Sequence, residues 1–314
     1  MMNQFLCDVL KGLESAPKYL QSKYFYDKKG DEIFMQIMNS DEYYLTDCEM
    51  EIFSTQTSAI ADIIIDQHHN FDVVELGPGD AVKSMYLLKE LVNKKAISTY
   101  FPVDISNNII NLLHKKLPEQ LPDLNIHGLN GEYLAMLSSA KKISDKIKLV
   151  LFLGSNIGNI VKEEVQRFCQ VLRSQLSKGD MVLIGMDLVK NPKQILAAYN
   201  DHNGYTRNFN LNLLQRINEE LGGDFNIGDF EHYATYDPAT GACKSYLISL
   251  KDQDVSIGIN TVINFAKDEP IFMEVSQKYS IEESNRIAEQ SGFEPIAHFF
   301  DKNKWFMDVI WKCV

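Results

Sequence analysis

The chain has little of what would tie it to a polyanion or a membrane. It carries 31 Lys and Arg against 43 Asp and Glu, a formal net charge of −12 and an isoelectric point near 5.1, with no dense basic run. Its overall field would repel DNA or RNA, so no nucleic-acid partner is expected. No apolar stretch is long enough to cross a bilayer, and residues 1–8 show neither the basic segment nor the apolar core of a secretory signal. A cytoplasmic location without a membrane partner is therefore expected. The five cysteines, Cys7, Cys48, Cys169, Cys243 and Cys313, are odd in number, scattered and never spaced C-x-x-C, which argues against a disulfide framework and a structural zinc site. The seven histidines never fall in H-x-x-H or H-x-x-x-H spacing, so no catalytic metal is expected. Repeats and low-complexity tracts are missing as well.

What remains is an ordinary globular composition, 45% hydrophobic and 24% charged, over 314 residues. At that length single cores tend to split, so two domains are expected. The first half alternates β-rich apolar runs with helical patterns, the signature of a parallel α/β sheet. Strands are predicted at 71–76, at 100–103 with Pro102 weakening the pattern, around 124–129, at 147–153 and at 181–186. The 147–153 run is so continuously apolar that it reads as the central strand. Between these lie helical stripes through Val82, Met85, Leu88 and Leu91, through Ile109, Ile110, Leu112 and Leu113 with Ser106 as cap, and through Val165, Phe168, Val171, Leu172 and Leu176. After 188 the alternation stops. Two helical patterns follow over 191–223, the first opened by Asn191-Pro192 as cap and first helical residue and the second a stripe of Phe209, Leu213, Ile217 and Leu221 ending at Gly222. Alternating strands come next over 232–279 with a hairpin around 237–241, which describes an inserted α+β region. The end returns to α/β habits, with a capping box at Ser280 and Glu283 and two strands about a turn at 301–304.

Gly77-Pro78-Gly79 follows the first strand and precedes a helix, where open α/β sheets bind nucleotides and where missing side chains let a ligand approach the backbone. A G-x-G alone is weak evidence. Here the loop is short and flanked by Glu75 and Asp80, acids that would repel a pyrophosphate but can accept hydrogen bonds from the ammonium of S-adenosylmethionine (SAM). Asp104 ends the second strand, where a carboxylate can take both ribose hydroxyls; it identifies a ribose without choosing the cofactor.

A run of further blocks carries a specific likeness. Lys23-Tyr24-Phe25-Tyr26-Asp27 with Gly30, Glu42-Tyr43-Tyr44-Leu45-Thr46, Val74-Glu75-Leu76-Gly77-Pro78-Gly79 with Lys83, Pro102-Val103-Asp104, Phe152-Leu153-Gly154-Ser155-Asn156-Ile157-Gly158-Asn159 and Gly185-Met186-Asp187-Leu188-Val189-Lys190 occur in that order. Ala198-Tyr199-Asn200-Asp201, Phe230-Glu231-His232 and Glu274-Val275-Ser276-Gln277-Lys278 continue it. Nearly end to end, the chain resembles the histidine-specific Nα-methyltransferases. The resemblance implies an α/β class I (Rossmann-like) methyltransferase sheet with a terminal antiparallel hairpin, plus a second α+β substrate-binding domain. The expected division is a SAM-binding domain at 56–187 and 279–314 and a substrate-binding domain at 1–55 and 188–278.

The resemblance also implies roles. SAM would be held by Tyr26, Gly77, Gly79, Lys83, Asp104, Glu132 and Tyr133, with Glu132 reaching the adenine amino group and Tyr133 covering the base. Asn159 and Tyr199 would bind the carboxylate of an amino-acid substrate, Tyr43 would sit by its α-amine as the catalytic candidate, and Glu274 with Ser276 would read an imidazole. The product would be the betaine of histidine, the first step toward ergothioneine in that family. One position departs from the pattern: Ser245 stands where the family places Met, which predicts a wetter or larger side-chain pocket. The rival expectations are the same fold acting on another amino acid or amine such as tryptophan, and a non-catalytic SAM-binding protein. A monomer is expected.

Overall fold

Every residue from Phe71 to Leu76 is buried, which is what an unbroken β-rich run becomes when it lies inside a parallel sheet. The computed structural model describes residues 4–259 and 261–314. The chain folds as two compact units: one runs up to Tyr44 and resumes over Lys190–Gln277, the other comprises Leu45–Val189 and Lys278–Val314.

The second of these units is built on an eight-stranded sheet. Its strands lie in the order Phe293–Phe300, Phe306–Cys313, Met181–Asp187, Lys148–Phe152, Phe71–Leu76, Ile97–Asp104 and Asn125–Ile126, with Leu129–Asn130 also paired to Ile97–Asp104. All neighbours are parallel except Phe306–Cys313, which runs antiparallel to both of its partners. This is a Rossmann-like sheet closed by a terminal hairpin. Lys148 and Asp72 are register partners and form a fully buried ion pair at 3.1 Å, so neither charge is left alone in the core.

Several boundaries differ from the sequence reading. The predicted strand at 124–129 is two short pieces, and the break falls opposite Pro102, which has no N–H to offer a neighbour. The helix after the glycine loop is Ser84–Asn93 and buries Leu87, Leu88 and Leu91; Val82 lies before it and is exposed. The expected domain boundary at 55/56 falls inside one continuous helix, Tyr44–Gln67. Leu45, Cys48, Ile52 and Phe53 on its first turns are as buried as Ile60 and Ile64 further on, so residues 45–55 join the sheet unit rather than the other. Ser106 caps its helix through the Ile109 amide as predicted, and the capping box of Ser280 and Glu283 is present with both bonds made.

The other unit holds a four-stranded sheet in the order Lys18–Tyr19, Pro270–Gln277, Ala242–Ser249, Phe230–Asp237, parallel at the first pairing and antiparallel elsewhere. A separate ribbon pairs Gln253–Ile257 with Thr261–Phe265. The predicted hairpin at 237–241 turns at Gly241, whose φ of 75° suits a residue without a side chain. Helix Pro192–Ala198 is capped by Asn191 with Pro at the first turn, and Tyr205–Leu221 ends on Gly222 in the left-handed conformation, both as the sequence suggested. Phe209, Leu213, Ile217 and Leu221 on that helix share a core with Phe5, Val9, Phe25, Leu247 and Met273. No described helix is long and apolar enough to cross a membrane.

Candidate active site

In the sheet unit, the predicted residues gather where the parallel strands end. Gly77 has φ +72° and Gly79 φ +54°, conformations a side chain disfavours. A Cβ at Gly77 would stand 2.6 Å from the Tyr133 hydroxyl, whereas one at Gly79 would meet nothing within 4 Å. The loop is thus roofed on one side by Tyr133 and open on the other. Asp104 takes the Ser106 amide at 2.8 Å, and its backbone carbonyl accepts from the Gly131 amide and the Asn130 side chain. Those bonds bring Glu132 and Tyr133 beside it. Burial raises the Asp104 carboxyl above its ordinary value, and burial with the nearby Asp104 and Glu132 charges pushes Tyr133 up to about 12. Glu132 caps the helix Tyr133–Ile143 in backbone only; its side chain makes no cap bond and is exposed, available to a ligand.

Glu75 behaves differently from the sequence reading. It is 3% exposed and accepts the Tyr100 hydroxyl, so it points into the sheet instead of lining the loop. Burial raises its carboxyl to about 7 against the opposing hydrogen bond from Tyr100. Lys83 forms an ion pair with Glu49, a residue the sequence reading passed over. Asn159 closes the short 3-10 turn Asn156–Asn159 after strand Lys148–Phe152 and is exposed. Asp187 and Lys278, both without exposed surface, pair at 2.7 Å and anchor the chain as it leaves and re-enters the unit.

The other unit brings together the remaining candidates. The Tyr199 hydroxyl and Ser276 Oγ share a buried hydrogen bond at 2.6 Å, and the Tyr43 and Tyr199 rings meet edge-on with centroids 6.2 Å apart. Glu274 and Ser245 are cross-strand register partners, as are Ser276 and Cys243, so Glu274, Ser276 and Ser245 share one face. Ser245 is 1% exposed and its Oγ has no hydrogen-bond partner among the described residues. Tyr26 is 41% exposed and packs edge-on against Phe34 and Phe209 in this unit. Lys190 donates to the Tyr44 hydroxyl at 2.9 Å and sits over its ring, which explains the Tyr-Tyr pair: Tyr44 is a buried anchor and Tyr43 the more exposed member. His232 is buried with Nε2 unpartnered, and burial lowers its ring to about 4, so it is neutral near pH 7.

Glu49 was missed because a single acid on a long helix carries no spacing signal, and Lys278, though it closes one of the family blocks, carries none for the residue it pairs with. Only the fold pairs them with Lys83 and Asp187. Among the described residues no group of three or more His, Cys, Asp or Glu is placed to hold a metal ion.

A family profile described as histidine-specific methyltransferase, SAM-dependent, matches residues 5–313. The histidine N-alpha-methyltransferase of Mycolicibacterium smegmatis is 32% identical over 283 residues, covering 90% of this chain and 86% of that protein. Its counterpart in Mycobacterium tuberculosis is 31% identical over 273 residues, covering 87% and 83%. The L-tryptophan methyltransferase trpM of Psilocybe serbica is 25% identical, covering 94% and 88%.

Proposed function

The chain belongs to the SAM-dependent, histidine-specific methyltransferases, and from that premise we propose that it methylates the α-amine of free L-histidine, up to the trimethylated betaine, releasing S-adenosylhomocysteine. The substrate half of this reading rests above all on the buried Tyr199–Ser276 hydrogen bond on the face that also carries Glu274. A polar cluster with a carboxylate inside an otherwise apolar unit suits a ligand with its own hydrogen-bonding side chain. A site built to bind a substrate NH rejects analogues that leave its buried groups unpaired.

The residues present fit the cofactor. Gly77 and Gly79 leave backbone that a ligand can approach, Asp104 stands at the strand end where a ribose would be bound, and Glu132 and Tyr133 offer an acid and a ring beside it. Bound there, SAM supplies a methyl group already activated by its sulfonium. In this reading Tyr26, Gly77, Gly79, Lys83, Asp104, Glu132 and Tyr133 hold it. Asn159 and Tyr199 bind the substrate carboxylate, Glu274 and Ser276 read the imidazole, and Ser245 shapes the pocket beside Glu274.

The protein's task is then mainly positioning, which can be worth about 7–11 kcal/mol when two reactants are held in attack geometry. The amine, with an ordinary pKa of about 8, must be neutral to attack. Tyr43 orients it through its hydroxyl, and bulk water takes the proton. The test is a methyl-transfer assay over a panel of amino acids, with products read by mass. Histidine gaining one to three methyls is the expected result; turnover of tryptophan or another amine with none of histidine overturns the substrate assignment, and no turnover of any amine despite cofactor binding overturns catalysis.

A further inference from the structure

Glu49 lies on helix Tyr44–Gln67 with no exposed surface, yet neither of its oxygens is idle. Oε2 pairs with the Lys83 ammonium, and Oε1 accepts the Gly154 amide at 2.7 Å. Lys83 ends the glycine loop that follows strand Phe71–Leu76, and Gly154 begins the loop that follows strand Lys148–Phe152. These two strands are adjacent and parallel, so their loops leave the sheet at the same edge, where ligands of open α/β sheets bind. One carboxylate therefore grips both loops of the cofactor edge.

The fold makes room for it. Strand Met181–Asp187 is wholly buried, and its Gly185 faces Glu49: a Cβ there would overlap the carboxylate. Directly across from Gly185, Asp308 is buried with both oxygens unpartnered, and burial holds it well above the usual carboxylate range. Three acids face Lys83, namely Glu49, Asp308 and Glu75, and the ion pair is with Glu49. The lysine side chain keeps 26% of its surface, and its ammonium lies between the Glu49 carboxylate and Gly154, where an added Cβ would stand 3.6 Å from it.

We infer that Glu49 is a positioning residue of the cofactor site, fixing the Lys83 ammonium between the two loops. This rests on the placement of SAM at that edge. Burial on its own drives Lys83 toward the neutral amine, and the charge and hydrogen bond of Glu49, joined by the charges of Asp308 and Glu75, together outweigh it. A carboxylate serving only to brace the helix would affect stability alone.

The experiment is calorimetric binding of S-adenosylhomocysteine from pH 6.5 to 9 for the wild type, Glu49→Gln and the double variant Glu49→Gln/Lys83→Arg. The wild type is the reference at each pH and every slope is read relative to it, because Glu75, near 7, and the ligand's own amine titrate in this range in all three proteins. Glu49→Gln should bind about tenfold more weakly at pH 7, the scale of one charge-assisted hydrogen bond, and weaken further as pH rises and Lys83 deprotonates. Arginine stays charged without help, so the double variant should lose that slope. Affinity of Glu49→Gln within twofold of the wild type with a flat profile overturns the inference, even if its melting temperature falls; so does a slope that persists in the double variant. Should Glu49→Gln not fold, Glu49→Asp decides: it keeps the charge but is one methylene short, and a dissociation constant raised less than threefold overturns the inference. A wild type that binds no S-adenosylhomocysteine would instead sink the cofactor assignment itself.

Discussion

Gly77→Ala is the sharpest probe of the glycine loop, because two separable costs meet at that residue. The backbone sits at φ +72°, and placing a side chain in the left-handed region costs about 1–2 kcal/mol. The new methyl would also stand 2.6 Å from the Tyr133 hydroxyl, inside any real carbon–oxygen contact, so Tyr133 must move. Gly79→Ala shares the first cost, with φ +54°, but its methyl enters open space. Tyr133→Phe removes the clashing oxygen, and the next ring atom is 3.4 Å away, a tight but tolerable contact. Both alanine variants should therefore lose about 1–2 kcal/mol in urea denaturation from backbone strain. Both should weaken S-adenosylhomocysteine binding by about tenfold or more, the equivalent of roughly 1.4 kcal/mol, Gly77→Ala by displacing Tyr133 and Gly79→Ala by filling the open side of the loop assigned to the cofactor. Gly77→Ala/Tyr133→Phe should recover part of that loss, with a coupling of about 0.5–3 kcal/mol in the double-mutant cycle. If Gly77→Ala binds as well as the wild type, or if Tyr133→Phe rescues it no more than it rescues Gly79→Ala, the proposed contact between ring and loop is wrong.

Other expectations follow from pairs and buried groups. Lys278→Met leaves the Asp187 carboxylate buried without its partner and should cost about 3–5 kcal/mol in denaturation; a loss below about 1 kcal/mol would contradict the buried pair. Glu75 has a folded-state value near 7 against an ordinary 4.5, so between those pH values the folded protein keeps a proton that the unfolded chain has lost. Its contribution is complete below pH 4.5 and disappears as pH rises through 7, a swing of about 3 kcal/mol at roughly 1.4 kcal/mol per unit. The stability of Glu75→Gln relative to the wild type should rise across that window, and a pH-independent difference would refute the shift. Tyr199→Phe and Ser276→Ala should each raise the KM for the amino acid severalfold, and because they share a hydrogen bond while touching different ends of the substrate the double variant should be worse than either yet less than additive; fully additive losses would show that the bond couples nothing.

Much of the sheet unit was legible because parallel strands buried on both faces read as unbroken apolar runs. Phe71–Leu76 and Met181–Asp187 emerged within a residue of prediction, and caps such as Ser106, Asn191 and Ser280 marked helix starts through local chemistry. Where legibility failed, the deciding force was not local. Strand 124–129 split because its neighbour carries Pro102, and residues 45–55 went with the sheet unit because a helix once started buries its stripe where the sheet offers cover.

The order of motifs along the chain was enough to determine the family, the cofactor class and which residue types surround the glycine loop. Those properties reside in short segments whose backbone geometry is set by nearby residues. The pairing of Glu49 with Lys83, the space that Gly185 leaves for it, the inward turn of Glu75 toward Tyr100 and the Tyr199–Ser276 bond were decided only by tertiary structure. Each joins positions between 25 and 77 residues apart or, at Gly185, depends on a side chain from another element. Burial then gives those meetings their weight, because a charge or hydroxyl removed from water must find its partner across the fold or bear the full cost of desolvation.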